Sequence, residues 1–382
     1  MEDVLARSQA LVESFEAVVH AELPQDAAIF DVHTHLGNDI DGMVGDLDEL
    51  LRIQDRSGIS RAFMFCLDEP DRHPGFRAAN DRTLAFAERS NGRLIPFVRL
   101  DLTESPIDEA TRCLDAGARG IKLHPRAQKF LLDDGRLAPV FELAGARKVP
   151  ILIHGGRGLP PIAEALSRLM DAYEPQLIIA HAGIADLAAL ARHFSGRPGV
   201  FFDTSVWSAL DLLDLYRLVA PEQVLYASDY PYGQQPASLL MALRTARMAG
   251  LDDVQLRAML GGSAARIADG EQALPLSAPS GAADISTPIT FARIHQYLSM
   301  ATPLLWMRQA DTIGVLGLAL NACDERSNGH REGTEQIREL LLVARDLWRV
   351  LPEAEDADKT RTARTAFRLL HLANVLTVTS GA

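Results

Sequence analysis

The sequence predicts an α/β protein, a (β/α)₈ TIM barrel followed by an all-α extension. Eight short apolar segments alternate with segments of helical periodicity, and no glycine-rich fingerprint follows the first apolar segment. This alternation is typical of parallel strands joined by crossover helices, and continuously apolar strands fit a sheet buried on both faces. An open doubly wound sheet would carry G-x-G-x-x-G where this chain has His33-Thr34-His35. Because eight parallel strands close a barrel, the barrel is favoured.

The elements follow in order along the chain. Residues 3–20 have a helical period and predict a lead-in helix. Asp46 and Glu49 form a capping-box pattern at the start of the first crossover helix, and Gly58 can end it. The predicted strands cover residues 29–35, 62–67, 94–100, 120–124, 150–154, 177–181, 200–203 and 224–229.

The chain divides into four predicted parts. Residues 1–27 form the lead-in helix, 28–270 the barrel, 271–288 a linker and 289–382 a helical extension. The linker is rich in Ala, Ser, Pro and Gly, and the extension shows helical periods without a chemical motif. A helical cap packed on the barrel is the favoured interpretation of the extension. A homodimer contact or a partner-docking element is the alternative.

Composition limits the classes of partner. The chain has 382 residues, 47% of them hydrophobic, and a net charge of −13. Nucleic acids and anionic membranes require a basic face, so neither is an expected partner. A small-molecule substrate is the expected partner. No signal peptide and no apolar run long enough to span a bilayer is recognised, which favours a cytoplasmic protein. The three widely spaced cysteines are expected to be reduced, mostly buried thiols.

Polar residues follow the predicted strands at their C-terminal ends. Strand alternation predicts that Asp31, His33 and His35 share one face, where two imidazoles can bind one metal ion. The H-x-H motif alone is weak evidence. However, five of the eleven histidines fall at strand ends, the face where barrels of this kind place their active sites. The strand-end set is His33, His35, Lys122, His124, His154, His181, Asp203 and Asp229.

These motifs resemble the amidohydrolase superfamily over roughly residues 28–268. The resemblance is strongest to its amidohydrolase-related (amidohydrolase 2) branch, which includes aminocarboxymuconate-semialdehyde decarboxylase, resorcylate decarboxylases and hydrolases. One departure is Ser263, where the closing helix of the family usually has Asn. The matching segments are Asp31–His35, Gly120–Pro125, Ile153–Gly156, Ala180–Gly183, Ala227–Pro231 and Gly261–Ile267.

The resemblance implies one divalent metal ion, most often zinc, held by His33, His35, His154 and Asp229. Mn²⁺ or another divalent ion is the alternative. Three imidazoles and a carboxylate suit zinc, and a catalytic site keeps one position open for water. Asp229 could also accept the proton of that water. His181, outside this ligand set, is the candidate general acid/base, and a hydrogen-bonded structural histidine is the alternative.

Lys122 leaves a second arrangement open. In binuclear relatives, a lysine at the end of the fourth strand is carboxylated and bridges two metals. We favour a mononuclear site in which Lys122 or His124 binds substrate. Arg99 and Arg157 are candidates for binding a substrate carboxylate, because guanidinium groups form bidentate hydrogen bonds with carboxylates.

The function expected from these residues is that of a metal-dependent hydrolase. A metal-activated water would attack a small substrate that bears a carboxylate. Non-oxidative decarboxylation of an unsaturated or aromatic acid is the alternative, and a catalytically silent scaffold barrel is a further one. The residues do not separate hydrolysis from decarboxylation, and they do not specify the substrate.

Overall fold

The computed structural model of the protein describes residues 2–281, 286–306, 312–325, 331–351 and 356–380. The strands are β1 (Ile29–Asn38), β2 (Val44–Gly45), β3 (Ile59–Cys66), β4 (Leu94–Arg99), β5 (Gly120–Leu123), β6 (Ile151–Ile153), β7 (Leu177–Ile179), β8 (Val200–Asp203) and β9 (Val224–Leu225). The helices that belong to the barrel region are α1 (Glu2–Glu22), α2 (Leu47–Ser57), α3 (Arg77–Arg89), α4 (Pro106–Asp115), α5 (Pro125–Gln128), α6 (Ala138–Arg147), α7 (Ala163–Tyr173), α8 (Leu187–Phe194), α9 (Ala209–Leu218), α10 (Ala237–Met248), α11 (Asp253–Arg257) and α12 (Ser263–Asp269). The extension forms α13 (Ile289–Trp306), α14 (Thr312–Asp324), α15 (Arg331–Val350) and α16 (Asp356–Thr379).

The strands form the predicted barrel. β1 and β3 to β9 pair in parallel in sequence order, and the short β2 pairs antiparallel with β1. Three backbone hydrogen bonds join the last strand region to β1: Val32 N–H to Tyr226 O (3.0 Å), Asp229 N–H to His33 O (2.9 Å) and His35 N–H to Tyr230 O (2.7 Å). The sheet therefore closes on itself, and the (β/α)₈ prediction is confirmed.

Two apolar layers hold the barrel. One fills its interior with side chains such as Phe63, Leu152 and Phe201, and the other lies between the strands and the surrounding helices. Alternate residues of a barrel strand face these two layers, which explains why the strands are apolar throughout. The polar residues that end the strands therefore collect at one rim.

The cap residues of the first crossover helix are confirmed, but the capping box is not complete, because Asp46 N–H donates to Tyr230 Oη (3.2 Å) and the Glu49 carboxylate accepts from Tyr230 Oη (2.9 Å) instead. The Asp46 carboxylate accepts a hydrogen bond from Glu49 N–H, and Gly58 ends α2 with a left-handed φ of 70°. The three cysteines are free and buried. Among the described residues, no helix is long and apolar enough to cross a membrane.

The extension is helical and packs on the barrel. α13 to α16 contact one another, α15 and α16 contact α1, and α16 also contacts α9 and α10. The described part of the segment before α13 is irregular and runs along the barrel, where Ser277 N–H donates to the Glu222 carboxylate (2.9 Å). The four-part division of the chain remains a prediction, because these contacts do not show which parts fold independently.

Candidate metal centre at the barrel rim

Three donor atoms meet where the barrel closes. The Nε2 atoms of His33 and His35 are 3.2 Å apart, and each lies 3.3 Å from Asp229 Oδ1. Donors bound to one tetrahedral ion at about 2.0–2.1 Å stand about 3.3–3.4 Å from one another. This donor triangle of His33, His35 and Asp229 therefore has the dimensions and the chemistry of a divalent metal site.

Hydrogen bonds behind the two imidazoles turn them toward the triangle. His33 Nδ1 lies 2.7 Å from Asp203 Oδ2, and His35 Nδ1 lies 3.4 Å from the Cys66 carbonyl. Because these acceptors hold a proton on Nδ1, the lone pair of each neutral ring is on Nε2, as a metal ligand requires. Burial lowers the pKa of both histidines well below the usual value, which keeps them neutral.

The backbone is strained at two residues of the site. His181 and Asp229 have left-handed φ values of 56° and 62°. Such a conformation costs a residue with a side chain on the order of 1–3 kcal/mol and is typical of functional sites. Gly156 leaves space for the rings of His154 and His181, since a Cβ there would stand 2.9 Å from His154 Cε1 and 3.0 Å from His181 Cδ2.

The five strand-end histidines form a continuous row of rings. Successive centroids are 5.1 Å apart from His35 to His33, 5.0 Å to His181, 4.6 Å to His154 and 4.0 Å to His124. His154 thus lies two rings beyond His33 and outside the donor triangle. Its Nε2 is buried and has no hydrogen-bond partner among the described residues. The role of His154 as a fourth ligand remains a prediction.

His181 occupies the position expected of a proton-transfer residue beside the ligands. Its backbone N–H donates to Asp203 Oδ1 (2.7 Å), and its Nδ1 lies 2.8 Å from the Ser205 carbonyl. The Nε2 atom of the neutral ring is therefore unprotonated. Burial lowers the pKa of His181, and the Asp203 carboxylate opposes that shift. The general acid/base role of His181 remains a prediction.

Lys122 and Arg99 are neighbours in the paired strands β5 and β4. Lys122 Nζ lies 3.1 Å from His33 Nε2 and 4.3 Å from the centre of the Phe65 ring. Burial lowers the pKa of Lys122 to about 7. Arg99 is 2% exposed, and its Nε and one terminal nitrogen have no hydrogen-bond partner among the described residues. Its nearest carboxylate, that of Asp68, is 3.7 Å away, beyond hydrogen-bonding distance.

His124 and Arg157 lie farther from the triangle. The His124 side chain accepts a hydrogen bond from Ala127 N–H (3.3 Å) at the start of α5, while its ring stacks on His154. The Arg157 side chain is 79% exposed and lies 3.8 Å from the Asp211 carboxylate. Arg157 is therefore a rim residue, and Arg99 is the buried cation beside Lys122.

Sequence reasoning missed the residues that orient the site. Asp203 belonged to the strand-end set but received no role, although it fixes both His33 and the backbone of His181. Asp31 does not join the two histidines, because a register shift between Asp31 and Thr34 interrupts the strand alternation. Its carboxylate instead accepts hydrogen bonds from Ser228 N–H (3.0 Å) and the Gln235 amide (3.1 Å).

Comparison with solved structures found proteins of similar fold. A probable 2-pyrone-4,6-dicarboxylic acid hydrolase from Acinetobacter baumannii, solved with citric acid bound, aligns with a TM-score of 0.50 at 12% identity, covering 63% of this chain and 99% of that chain. 5-Carboxyvanillate decarboxylase from Sphingomonas paucimobilis and 2,6-dihydroxybenzoate decarboxylase from Rhizobium each align with a TM-score of 0.49 at 16% identity, covering 64% of this chain and 99% of theirs. At 12% identity, the likeness to the Acinetobacter baumannii structure concerns the fold alone.

The family is shown by the sequence itself. Comparison with curated proteins found no match. The family model described as amidohydrolase (Amidohydro_2) matches residues 31–267, which span all of the strand-end residues described above. The chain therefore belongs to the amidohydrolase family, in the branch that its strand-end motifs predict.

Proposed function

We propose that the protein is a metal-dependent hydrolase that acts on a small substrate bearing a carboxylate. The observation that supports this proposal is the buried guanidinium of Arg99. It lies beside Lys122 at the rim that holds the donor triangle, and two of its nitrogens have no hydrogen-bond partner among the described residues. The Asp68 carboxylate, 3.7 Å from Arg99, balances part of its charge, but buried donors without a hydrogen bond remain costly, and a substrate carboxylate is the matching group.

The donor set fits a zinc ion, with His33, His35 and Asp229 as ligands and His154 as the predicted fourth. When bound, such an ion lowers the pKa of water toward about 7 and polarises a carbonyl group. His181 then moves a proton at its Nε2 atom, while Asp229 is a second candidate to accept one. Arg99 and Lys122 bind the carboxylate of the substrate.

The same arrangement would also serve decarboxylation. A carboxylate held by Arg99 and Lys122 would lie near His181, whose Nε2 would first take up a proton and then protonate the carbon that loses CO₂. Because the charges that bind the substrate are the same for both reactions, hydrolysis and decarboxylation are distinguished by their products. Hydrolysis in ¹⁸O-labelled water puts the label into the product, whereas decarboxylation releases CO₂.

The test is a substrate screen with the protein reconstituted with Zn²⁺ or Mn²⁺. Lactones, esters and amides that bear a carboxylate are compared with neutral analogues and with aromatic acids, and ¹⁸O incorporation and CO₂ release are both measured. We expect hydrolysis of a carboxylate-bearing substrate. CO₂ release would favour the carboxy-lyase, and a metal-loaded protein without turnover would favour the scaffold.

A matched pair of variants tests the role of Arg99. Loss of a hydrogen bond to a charged group costs about 1.5–3 kcal/mol, so Arg99→Gln should raise KM about 10- to 100-fold. Arg157→Gln removes the same charge from the exposed rim and should change KM little. Equal effects of the two substitutions would contradict the proposed binding of the carboxylate by Arg99.

A further inference from the structure

A small cavity lies between α16 and the loop that follows Asp229. Its walls include Trp207, Gln234, Arg364, Arg368 and His371, and we call it the α16 cavity. It leaves about 10 Å³ for the centre of a water-sized sphere. That is space for roughly one water molecule, or for one oxygen atom of an oxyanion group. The extension thus contributes one whole wall of a site at the barrel rim.

Buried polar atoms in this cavity lack hydrogen-bond partners. Among the described residues, none bonds to Gln234 Oε1 or Nε2, to His371 Nε2 or to Arg368 Nε. Gln234 and His371 are only 5% and 3% exposed. Buried polar side-chain atoms in folded proteins are nearly always hydrogen-bonded, so this concentration of unsatisfied groups requires an explanation. A ligand in the cavity would provide the missing bonds.

The charge of the cavity indicates the sign of that ligand. Arg364 is paired, since it donates to the Glu49 carboxylate and to Val44 O. Arg368 Nε has no hydrogen-bond partner within the described ranges of the chain. Burial lowers the pKa of Arg368 to about 10, the charge of Arg56 adds to that shift, and the carboxylate of Glu49 opposes it. A half-buried guanidinium whose Nε has no partner among the described residues is unfavourable, and an oxyanion in the cavity would accept that hydrogen bond.

We propose that the α16 cavity binds a small oxyanion group of the carboxylate type, held by Arg368 together with Gln234 and His371. The cavity is close to the metal centre: Tyr232 lines it, and the Tyr232 ring is 6.0 Å from the ring of His35. The group has two sources. It is either a free small anion or a second carboxylate on a substrate that is bound at the donor triangle.

Thermal unfolding of the full chain in acetate tests this site. Melting temperature is measured against acetate concentration at constant ionic strength for the wild type, Arg368→Gln and Arg361→Gln. Arg361 is an exposed arginine on the same helix, so its substitution is the matched control. A ligand at a hundredfold excess over its Kd should raise the melting temperature of a chain of this size by about 3 °C. We expect that rise in the wild type and in Arg361→Gln, and its loss in Arg368→Gln.

A second variant and a second site make the test decisive. Gln234→Met keeps the size of the side chain but removes its amide, and it should also lose the response to acetate. An equal response in all of these proteins, or none in the wild type, would overturn the proposal. A response that persists in Arg368→Gln but disappears in Arg99→Gln would assign the anion to the barrel rim and would overturn it as well.

Kinetics separate the two sources, and this step rests on the proposed function. If the substrate supplies the group, acetate competes with it, and Arg368→Gln raises KM while kcat is retained. If a free anion occupies the cavity, KM does not change in Arg368→Gln, although the wild-type response to acetate remains. Because the melting experiment needs no turnover, failure of the hydrolase proposal leaves its result standing.

Discussion

The donor triangle and the α16 cavity share one loop, which carries Asp229 and Gln234. The buried ring nitrogens behind the triangle have hydrogen-bond partners, whereas several buried polar atoms of the cavity have none among the described residues. Behind the triangle, Asp203 and the Cys66 carbonyl hold the ring nitrogens in place. In the cavity, both amide atoms of Gln234 and Nε2 of His371 have no partner within the described part of the chain. The difference separates a site that is organised before its ligand arrives from one that leaves its hydrogen bonds to the ligand.

The two sites also differ in the part of the chain that builds them. The triangle lies wholly within residues 31–267, which the amidohydrolase family model covers. The α16 cavity needs Arg368 and His371 from the extension, about 100 residues beyond that match. The rim of this barrel therefore differs from the rim of a barrel without such an extension in having the α16 cavity.

Removing the extension, which supplies one wall of the α16 cavity and none of the triangle, should have the largest effect on the stability of the barrel. A chain that ends at Leu274 uncovers the faces of α1, α9 and α10 that the extension contacts. Buried apolar area stabilises by about 25 cal/mol per Å², so melting temperature and solubility should both fall. Unchanged melting temperature, solubility and oligomeric mass would instead indicate an independent module.

Point variants sharpen the same question without truncation. Leu372 is fully buried in α16, and Leu372→Ala should lower the free energy of unfolding by about 2–5 kcal/mol. Leu318 in α14 is 47% exposed, and Leu318→Ala should change it by less than about 0.5 kcal/mol. Chemical denaturation measures both. Similar effects would contradict a cap that is packed on the barrel.

Loss of the metal is the next largest expected effect, and it concerns the triangle alone. The wild type should carry about one divalent ion per chain, whereas His33→Ala and Asp229→Ala should carry almost none, because each removes one of three donors. Arg368→Gln, on the other side of the loop, should keep its ion. Elemental analysis of purified protein measures all four, and normal metal content in both ligand variants would refute the assignment.

His181→Asn separates proton transfer from metal binding. His181 lies beside His33 but outside the triangle, so the variant should keep its metal. Removal of a general acid/base typically costs about 10²–10⁴ in rate. Turnover and metal content are measured on the same preparation. Loss of the ion would make His181 a ligand, and nearly full activity would return it to a structural role.

Asp203→Asn should have the smallest effect of the set. An amide in place of the carboxylate weakens the hydrogen bond that fixes the ring of His33. Loss of such a partner typically reduces metal affinity about 10- to 100-fold. Competition with a chelator of known affinity measures the change. An unaltered affinity would show that the orientation of His33 does not depend on Asp203.

The barrel could be predicted because its signals are local. Apolar strands, the caps at Asp46 and Gly58, and the polar residues after each strand can all be recognised within short windows of sequence. β2 was missed because Val44 and Gly45 are too short a segment to produce a pattern. The position of Asp31 was wrong because alternation assumes a regular register, and β1 has a shift there.

The α16 cavity could not be predicted, since it depends on packing between distant segments. Nothing in the sequence around His371 marks it as a site residue, and the arginines of α16 look like the solvated face of a helix. Only the docking of α16 against the loop after Asp229 buries these side chains together. Amphipathic periodicity shows that a helix has an apolar face, but not which surface covers that face.

The donor triangle lies at the seam of the barrel, where hydrogen bonds join the first strand to the last strand region. His33 and His35 belong to the first strand and Asp229 follows the last, so an ion held by them would join points about 200 residues apart in the chain. A link that closes so long a loop acts chiefly on the entropy of the open chain. The amides of Val32, His35 and Asp229, whose hydrogen bonds cross the seam, should then exchange with deuterium faster once a chelator removes the ion. Hydrogen exchange at these three backbone positions would report whether an ion bound at the donor triangle also stabilises the closure of the barrel.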